Sequence, residues 1–383
     1  MTSDPVRVGV LFSVSGMTST VGRSQLQGTL LAIEEINEGG GINGRELLPV
    51  IYDPCSDPKV YAHMAERLIV EDKVNVIFGC YMSSSRKAVL PIVERWNKLL
   101  FYPTIYEGFE FSRNIIYTGA APNQNSVQLT EYMTSRFGGR VYMVGSDYLY
   151  PYESNRIMSE LLLQIPGSCK LGEQYVPLTA TEAHFAPIIE DIIAQQPDFI
   201  FSTVVGDATA SLYRAYASAG LDPRRMPIAS LTTSEAEVSQ IGVSAAVGHF
   251  TAAPYFRSVD TEQNRRCLAR LYGLGADSGP PNVCWEAAYF GIHLFANACR
   301  IAGDDAIDTI LPLLLGSEFD APQGRVKIDP RNHHTFLYPR IGKVAADGEF
   351  SIVQEASTAV APDPYLVTHA FGDPGKILFS LEV

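Results

Sequence analysis

Short apolar runs alternate with amphipathic stretches from the start of the chain. Residues 6–12 and 47–53 have the compact apolar pattern of buried strands, whereas residues 24–37 and 57–70 place apolar side chains at helical spacing. Asp57, which precedes a proline, is the expected N-cap of the second helix. Strands that alternate with helices predict a parallel sheet built from βαβ units.

A second series of the same kind begins after residue 125. Its strands and helices are predicted in the order 126–137, 141–147, 152–164, 173–178, 185–195, 198–206 and 208–220. Beyond residue 256 the pattern turns helical, with a long apolar helix over 285–303, and the strand-like tail has Asp347 and Gly348 at an expected hairpin turn. The prediction is an α/β fold with two similar, doubly wound, Rossmann-like lobes.

Hydroxyl groups follow several of the predicted strands. Ligands of open α/β sheets bind beyond the carboxyl ends of the strands, and two facing lobes place those ends on either side of a cleft. The candidates at these positions are Tyr81, Ser83, Ser84, Ser85, Tyr102, Thr104, Tyr106, Tyr148, Tyr150, Val205, Gly206 and Asp207. Because the set is nearly uncharged, it predicts a small neutral ligand such as an amide, whose carbonyl accepts from a serine hydroxyl.

Structural roles compete with ligand binding at each of these positions. Ser83 stands where a helix N-cap is also expected, and any one tyrosine could be a packing residue. Glu107 and Asp207 are the acids near the predicted site, and Asp207 suits a cap of the following helix better than a ligand contact.

Composition excludes several classes of protein. The 383 residues have 46% hydrophobic and 19% charged side chains and a net charge of −13, which fits a globular protein of two to three domains and disfavours a nucleic-acid-binding face. We see no membrane span and no export signal, so we expect a cytoplasmic protein, or a periplasmic one if a signal has been removed. The six scattered cysteines also fit a reducing compartment.

Catalytic and cofactor motifs are missing from the sequence. There is no GxSxG, GxGxxG or GxxxxGK pattern, Cys80 has no neighbouring base, and the pair His333-His334 lies in a polar turn rather than in a metal motif. The sequence therefore predicts a binding protein without enzymatic activity, cofactor or metal.

Long blocks of the sequence resemble a known family. The blocks, in chain order, are GCYMSSSRKAVLPIVE, YPTIYEGFEFSRNIIYTGAAPNQNS, GSDYLYPYESNRIM, FSTVVG, PIASLTTSEAEV, APYF, FDAPQG and PDPYLV. They are similar to the AmiC-type amide sensors, which repress bacterial aliphatic amidase operons. That family has the type I periplasmic-binding-protein fold, and its relatives include leucine/isoleucine/valine-binding and urea-binding proteins.

The resemblance implies two lobes joined by three crossovers, with residues 1–121 and 254–330 in one lobe and 122–253 and 331–383 in the other. Matched position by position, it implies ligand contacts from Tyr81, Ser83, Tyr102, Thr104, Tyr148, Tyr150, Val205 and Gly206. It also implies that an AmiR-like, RNA-binding antiterminator is the protein partner, and a homo-oligomer is expected.

The chain departs from this family at a few positions. Asp207 replaces an uncharged residue and matches the urea-binding relatives, and Ile105 replaces a proline. The expected ligand is therefore a short aliphatic amide, urea or another small amide-like molecule, and an acid near the cleft could even favour a cationic ligand such as guanidine. The sequence favours an amide sensor that controls amidase expression; the alternative is the solute-binding component of an ABC transporter for urea or short-chain amides.

Overall fold

A five-stranded parallel sheet forms the centre of the first lobe. The computed structural model describes residues 4–273, 275 and 279–368. The part of the predicted second lobe that follows residue 368 therefore lies outside the described residues. The strands are β1 (Val6–Leu11), β2 (Leu47–Tyr52), β3 (Val76–Gly79), β4 (Leu99–Tyr102) and β5 (Ile115–Tyr117). Their order, β2-β1-β3-β4-β5, is that of a doubly wound fold.

The second lobe is built on a seven-stranded sheet. Five of its strands are parallel neighbours: β6 (Arg140–Ser146), β7 (Cys169–Val176), β8 (Phe199–Thr203), β9 (Ile228–Ser230) and β10 (Phe250–Ala253). A small antiparallel sheet follows in the chain, with β11 (Glu318–Ala321), β12 (Gly324–Ile328) and β13 (Thr335–Phe336). The hairpin of β14 (Arg340–Val344) and β15 (Phe350–Glu355) then completes the seven-stranded sheet at the β10 edge.

Helices cover both faces of the sheets. They are α1 (Ser19–Glu38), α2 (Pro58–Val70), α3 (Ser83–Arg95), α4 (Ser126–Phe137), α5 (Leu149–Leu163), α6 (Glu182–Gln195), α7 (Asp207–Ser218), α8 (Glu235–Ile241), α9 (Val243–Ala246), α10 (Glu262–Gly273), α11 (Val283–Ala302) and α12 (Ile307–Leu314). Asp57 caps α2 as predicted, because its side chain accepts from the Lys59 N–H at 2.8 Å. The predicted hairpin turn is also confirmed, with Gly348 at a φ of 85°.

The chain crosses between the lobes three times. The crossings follow β5, follow β10 and precede β14, so each lobe combines separate stretches of sequence. The predicted two-lobed α/β architecture is confirmed, whereas the boundary at residues 330 and 331 stays a prediction. Beyond that boundary, β13 still pairs with β12, and Leu337 packs in the core of the first lobe.

Each lobe has its own apolar core. In the first lobe, α1 and α11 pack together over the sheet, where Phe78 and Phe101 stack with their rings 4.7 Å apart and Phe295 of α11 meets Phe78 edge-on. Burial of such rings is the main driving force for this packing. Among the helices of the described residues, none is long and apolar enough to span a membrane.

Candidate functional site

A small cavity lies between the lobes, beyond the carboxyl ends of the parallel strands. Its volume is about 20 Å³, which is room for about one water-sized group. Both lobes line it: Val21, Tyr81, Ile105, Tyr255, Val283 and Cys284 from the first, and Leu231, Thr232, Thr233, Ser234, Glu235, Glu237, Thr251 and Ala253 from the second, with Phe256 beside them. The lobes are therefore nearly closed on each other.

Two contacts hold the lobes together at the mouth of the cleft. The Gln240 side chain on α8 donates to Thr20 Oγ1 on α1 at 2.5 Å. Gly206 approaches the first lobe so closely that a Cβ there would lie 2.9 Å from the Met17 carbonyl oxygen, and its φ of 64° also suits glycine. This position therefore requires glycine in the closed arrangement.

The start of α8 places two carboxylates against the cavity. The backbone N–H and the hydroxyl of Ser234 both donate to Glu237 Oε2, at 2.8 and 2.5 Å, which forms a capping box. Glu235 Oε1 accepts from the Arg257 N–H at 2.7 Å. The other oxygen, Glu235 Oε2, is buried and has no hydrogen-bond partner in the part of the chain that the structure describes.

Burial shapes the electrostatics of these two acids. Glu235 is 4% exposed and Glu237 is 3% exposed. Desolvation raises the pKa of Glu235 to about 7 and also raises the pKa of Glu237. The expectation that Glu107 and Asp207 are the acids of a nearly uncharged site is therefore wrong, because α8 brings two further carboxyl groups to the cavity.

Ser83 opens α3 but does not cap it. Met82 occupies the N-cap position, and its side chain makes no capping bond. The Ser83 hydroxyl instead donates to Glu107 Oε2 at 2.6 Å, and the Ser85 hydroxyl donates to the Met82 carbonyl at 2.7 Å. The capping interpretation of Ser83 is wrong, and its hydroxyl proton is committed to a carboxylate.

Arg86 neutralises the acids behind Ser83. Its guanidinium is fully buried and bonds Glu107 Oε1 through Nη2 and Glu110 Oε1 through Nε, both at 2.7 Å. It also lies 4.9 Å from the ring centres of Tyr102 and Tyr106. Although burial opposes it, the Arg86 charge holds the pKa of Glu110 below its usual range.

Four of the predicted tyrosines converge near the cavity. The Tyr102 hydroxyl donates to the Tyr81 carbonyl at 2.7 Å, and the rings of Tyr148 and Tyr150 are centred 6.4 Å apart. Burial, followed by the charge of Glu237 and the neighbouring Tyr148 and Tyr150, raises the pKa of Tyr81 well above its usual range. Of these four, Tyr81 lines the cavity itself.

Three further residues singled out in the sequence, Thr104, Tyr106 and Cys80, do not line the cavity. Thr104 is buried and accepts from the Cys284 thiol at 3.5 Å, which places it just behind the lining. Tyr106 packs instead, since its ring stacks on Tyr117 at 4.9 Å and its hydroxyl donates to the Glu110 carbonyl. Cys80 is buried, and desolvation raises the pKa of its thiol to about 12, so it is a poor nucleophile.

The segment 205–207 lies beside the cavity without lining it. Val205 is buried and donates its N–H to Ser146 Oγ at 3.1 Å. Gly206 is the N-cap residue of α7, and Asp207 is its exposed first residue. The predicted capping role of Asp207 is therefore wrong.

Sequence reasoning missed the lining residues of the second lobe and of α11. Thr232, Thr233, Glu235 and Glu237 follow β9, and Cys284 is the second residue of α11. The stretch from Ser234 to Glu237 has the S-x-x-E signature of a capping box at the end of a strand pattern, so this signal was present in the sequence. The APYF block and the position after β10 also marked Tyr255, whereas no comparable signal marks Cys284.

The site shows no features of metal or disulfide chemistry. Within the described ranges, no group of three His, Cys, Asp or Glu side chains could hold a metal ion. All six cysteines are free.

Comparison with known proteins establishes the family. A family model described as a periplasmic binding protein domain matches residues 6–370. The chain belongs to the periplasmic binding protein family. Among its relatives, a leucine-, isoleucine-, valine-, threonine- and alanine-binding protein of Pseudomonas aeruginosa is 24% identical over 334 residues, which are 86% of this chain and 87% of the relative.

Solved structures share the two-lobed fold of this periplasmic binding protein. An ABC-transporter solute-binding protein of Rhodopseudomonas palustris HaA2, in complex with p-hydroxybenzoic acid, has a TM-score of 0.85 and 23% identity, and the match covers 96% of this chain and all (100%) of that one. The substrate-binding protein LivJ of Streptococcus pneumoniae, in complex with isoleucine, has a TM-score of 0.81 and 17% identity over 94% of this chain and 100% of that one. Nothing in these matches identifies the AmiC-type sensors specifically.

Proposed function

We propose that this chain is a solute-binding protein of the transporter type and that it closes its lobes around a short amide or urea. The supporting observation is the lining of the interlobe cavity, which combines hydroxyls and two carboxylic acids. Within the described residues, no Arg, Lys or His side chain lines the cavity. An anionic solute would have no lining cation there to offset its desolvation, whereas an amide or urea needs none.

Closure provides the mechanism of binding. A solute that contacts Tyr81 on one lobe and Glu237 on the other binds the closed form more tightly, so it shifts the population toward that form. The cavity has room for about one water-sized group, so a solute of a few heavy atoms requires only a slight opening of the lobes. The relatives that bind amino acids or p-hydroxybenzoic acid support the transport role, but their larger solutes would need a wider opening.

The amide-sensing regulator is a second candidate. The blocks GCYMSSSRKAVLPIVE and PIASLTTSEAEV favour it, because they resemble the AmiC-type sensors. An AmiR-like antiterminator, a homo-oligomeric state and a cytoplasmic location all belong to this second candidate. The membership of the periplasmic binding protein family favours the periplasmic location and the transport role instead.

Calorimetry with a panel of solutes tests the proposal. We expect acetamide and urea to bind at least tenfold more tightly than leucine or 4-hydroxybenzoate, and the radius of gyration from X-ray scattering to fall on binding. Binding of leucine or 4-hydroxybenzoate without binding of any amide or urea would contradict the proposal.

Deletion of the gene separates the two candidates. Loss of amide uptake with unchanged amidase expression supports the transporter component. Amidase expression that no longer needs an amide, with normal uptake, supports the regulator.

A further inference from the structure

Three hydroxyl groups that line the cavity have their protons committed within the protein. The Thr232 hydroxyl donates to the Val204 carbonyl at 2.8 Å, and the Tyr255 hydroxyl donates to Asn264 Oδ1 at 2.9 Å. The Ser234 hydroxyl donates to Glu237 Oε2 at 2.5 Å. A hydroxyl in this state can only accept a hydrogen bond from a solute.

Backbone donors at the same place are committed as well. The N–H groups of Thr232 and Thr233 donate to Ser230 Oγ at 3.0 and 3.1 Å, and the Ser234 N–H donates to Glu237 Oε2. The start of a helix normally attracts an anion. Here the Glu237 carboxyl group already occupies that position at the start of α8, so a solute anion would have to compete with it.

The lining is correspondingly rich in acceptors. Glu235 Oε2 lies buried at the cavity without a partner among the described residues, and Glu237 lies beside it. The Tyr81 carbonyl accepts from Tyr102, so the Tyr81 phenol is left to donate to a solute oxygen, and the Thr251 hydroxyl in the lining is a second donor of this kind. The arrangement offers several acceptors and two such hydroxyl donors.

We infer that Glu235 and Glu237 select solutes by their N–H donors, so that amides, urea and amidinium or guanidinium ions bind and carboxylates are rejected. The inference rests on the proposed function, because it assumes that the interlobe cavity is the solute site. It names two specificity-determining residues that lie outside the predicted contacts. An unpaired buried acceptor costs free energy, which a solute N–H removes by bonding to it.

Three solutes of the same size and shape test this inference. Acetate has acceptors alone, acetamide has one donor group and one acceptor, and acetamidinium has donors alone. The calorimetry is carried out at pH 8, which is above the Glu235 pKa of about 7. We expect acetamide to bind at least 100-fold more tightly than acetate, and acetamidinium to bind at least as tightly as acetamide.

The outcomes distinguish the inference from the proposed function. The inference alone is overturned if acetamide binds and the affinity for acetate is within tenfold of the affinity for acetamide. It is also overturned if acetamide binds and acetamidinium binds more than tenfold more weakly than acetamide. Absence of binding by all three solutes and by urea overturns the proposed function and the inference with it.

The variant Glu237→Gln tests the role of the charge. Glutamine at this position preserves the capping box, so folding is retained. We expect acetamidinium to lose at least tenfold in affinity while acetamide changes less than threefold. Equal losses for the two solutes would show a purely structural role and overturn the assignment.

Glu286→Gln is the matched control. Glu286 is as buried as Glu237 and accepts from the Gln323 side chain at 2.8 Å, but it does not line the cavity. Its replacement should leave both affinities unchanged. Glu235→Gln provides a second test, with the same expected ranking of acetamidinium and acetamide losses as Glu237→Gln.

Discussion

The two lobes hold their buried carboxyl groups in different ways. On the first lobe, Glu107 and Glu110 are paired with the buried guanidinium of Arg86. On the second lobe, Glu235 and Glu237 accept from backbone N–H groups and a serine hydroxyl, and no side-chain ion pair reaches them within the described residues.

The pKa values follow this difference. Arg86 holds the pKa of Glu110 below its usual range, whereas desolvation without an ion pair raises the pKa of Glu235 to about 7. The paired acids stabilise the local structure, and the unpaired ones keep acceptor capacity for a solute. Burial alone therefore does not distinguish a structural acid from a binding one, but the partner does.

The largest effect is expected from breaking the ion pairs of the first lobe. Arg86→Met leaves Glu107 and Glu110 buried without a countercharge, which should lower the free energy of unfolding by about 3–5 kcal/mol. Urea denaturation measures this loss. Lys87→Met is the matched control, because Lys87 pairs with the same Glu110 at 2.9 Å but is 48% exposed, and such pairs contribute about 0–1 kcal/mol. Similar losses for both variants would contradict the contrast.

The opposite effect is expected on the second lobe. The folded-state pKa of Glu235, about 7, lies above the ordinary glutamate value of 4.5, so its contribution to stability is full below pH 4.5 and is lost as the pH rises through 7. Glu235→Gln removes this loss. The variant should gain up to about 1.4 kcal/mol per pH unit relative to the parent between those values, so on the order of 1–3 kcal/mol at pH 8.

Unfolding by urea at pH 5, 6, 7 and 8 measures this difference. Replacement of the exposed Glu262 by glutamine is the control and should give a curve parallel to that of the parent. A Glu235→Gln curve that is also parallel to the parent would show that burial does not perturb this carboxyl group.

Ser83 is a predicted solute contact that the described cavity lining does not include. If its hydroxyl oxygen accepts from the solute as predicted, Ser83→Ala should weaken acetamide binding by about 1–3 kcal/mol. Calorimetry measures it, with Ser85→Ala as the control, since the Ser85 hydroxyl bonds within its own helical turn. If Ser83→Ala lowers the melting temperature without a change in affinity, Ser83 only supports Glu107.

The smallest effect is expected at Asp207. This side chain is exposed at the start of α7, so Asp207→Asn should change stability and urea affinity by less than about 0.5 kcal/mol. A tenfold loss of urea affinity would restore Asp207 as a solute contact.

The periodicity of the sequence predicted most of the fold. The alternation of strands and helices predicted the parallel strands of both sheets, because each pattern depends on local geometry. The ends were less accurate: α1 begins at Ser19 rather than Ser24, and α5 begins at Leu149 rather than Tyr152. Tyr148 has an extended backbone with a φ of −165°, and it therefore ends the loop immediately before that helix.

The site was only partly predictable. The position of Tyr81 after β3 follows from strand order, and this residue does line the cavity. Tyr255 has the same position two residues after β10, although it was not selected, whereas Cys284 does not follow this rule because it comes from the start of α11. The partners of each acid were also beyond prediction, since Glu107 and Arg86 are separated by 21 residues.

The sequence by itself determined the two-lobed α/β class, the strand ends that face the cleft and the resemblance to amide-binding families, because periodicity and local motifs are properties of neighbouring residues. The tertiary structure decided which acids are neutralised and which face the cavity unpaired. That distinction depends on contacts such as those of Arg86 with Glu107 and of Glu235 with Arg257, which the fold brings together from distant parts of the chain.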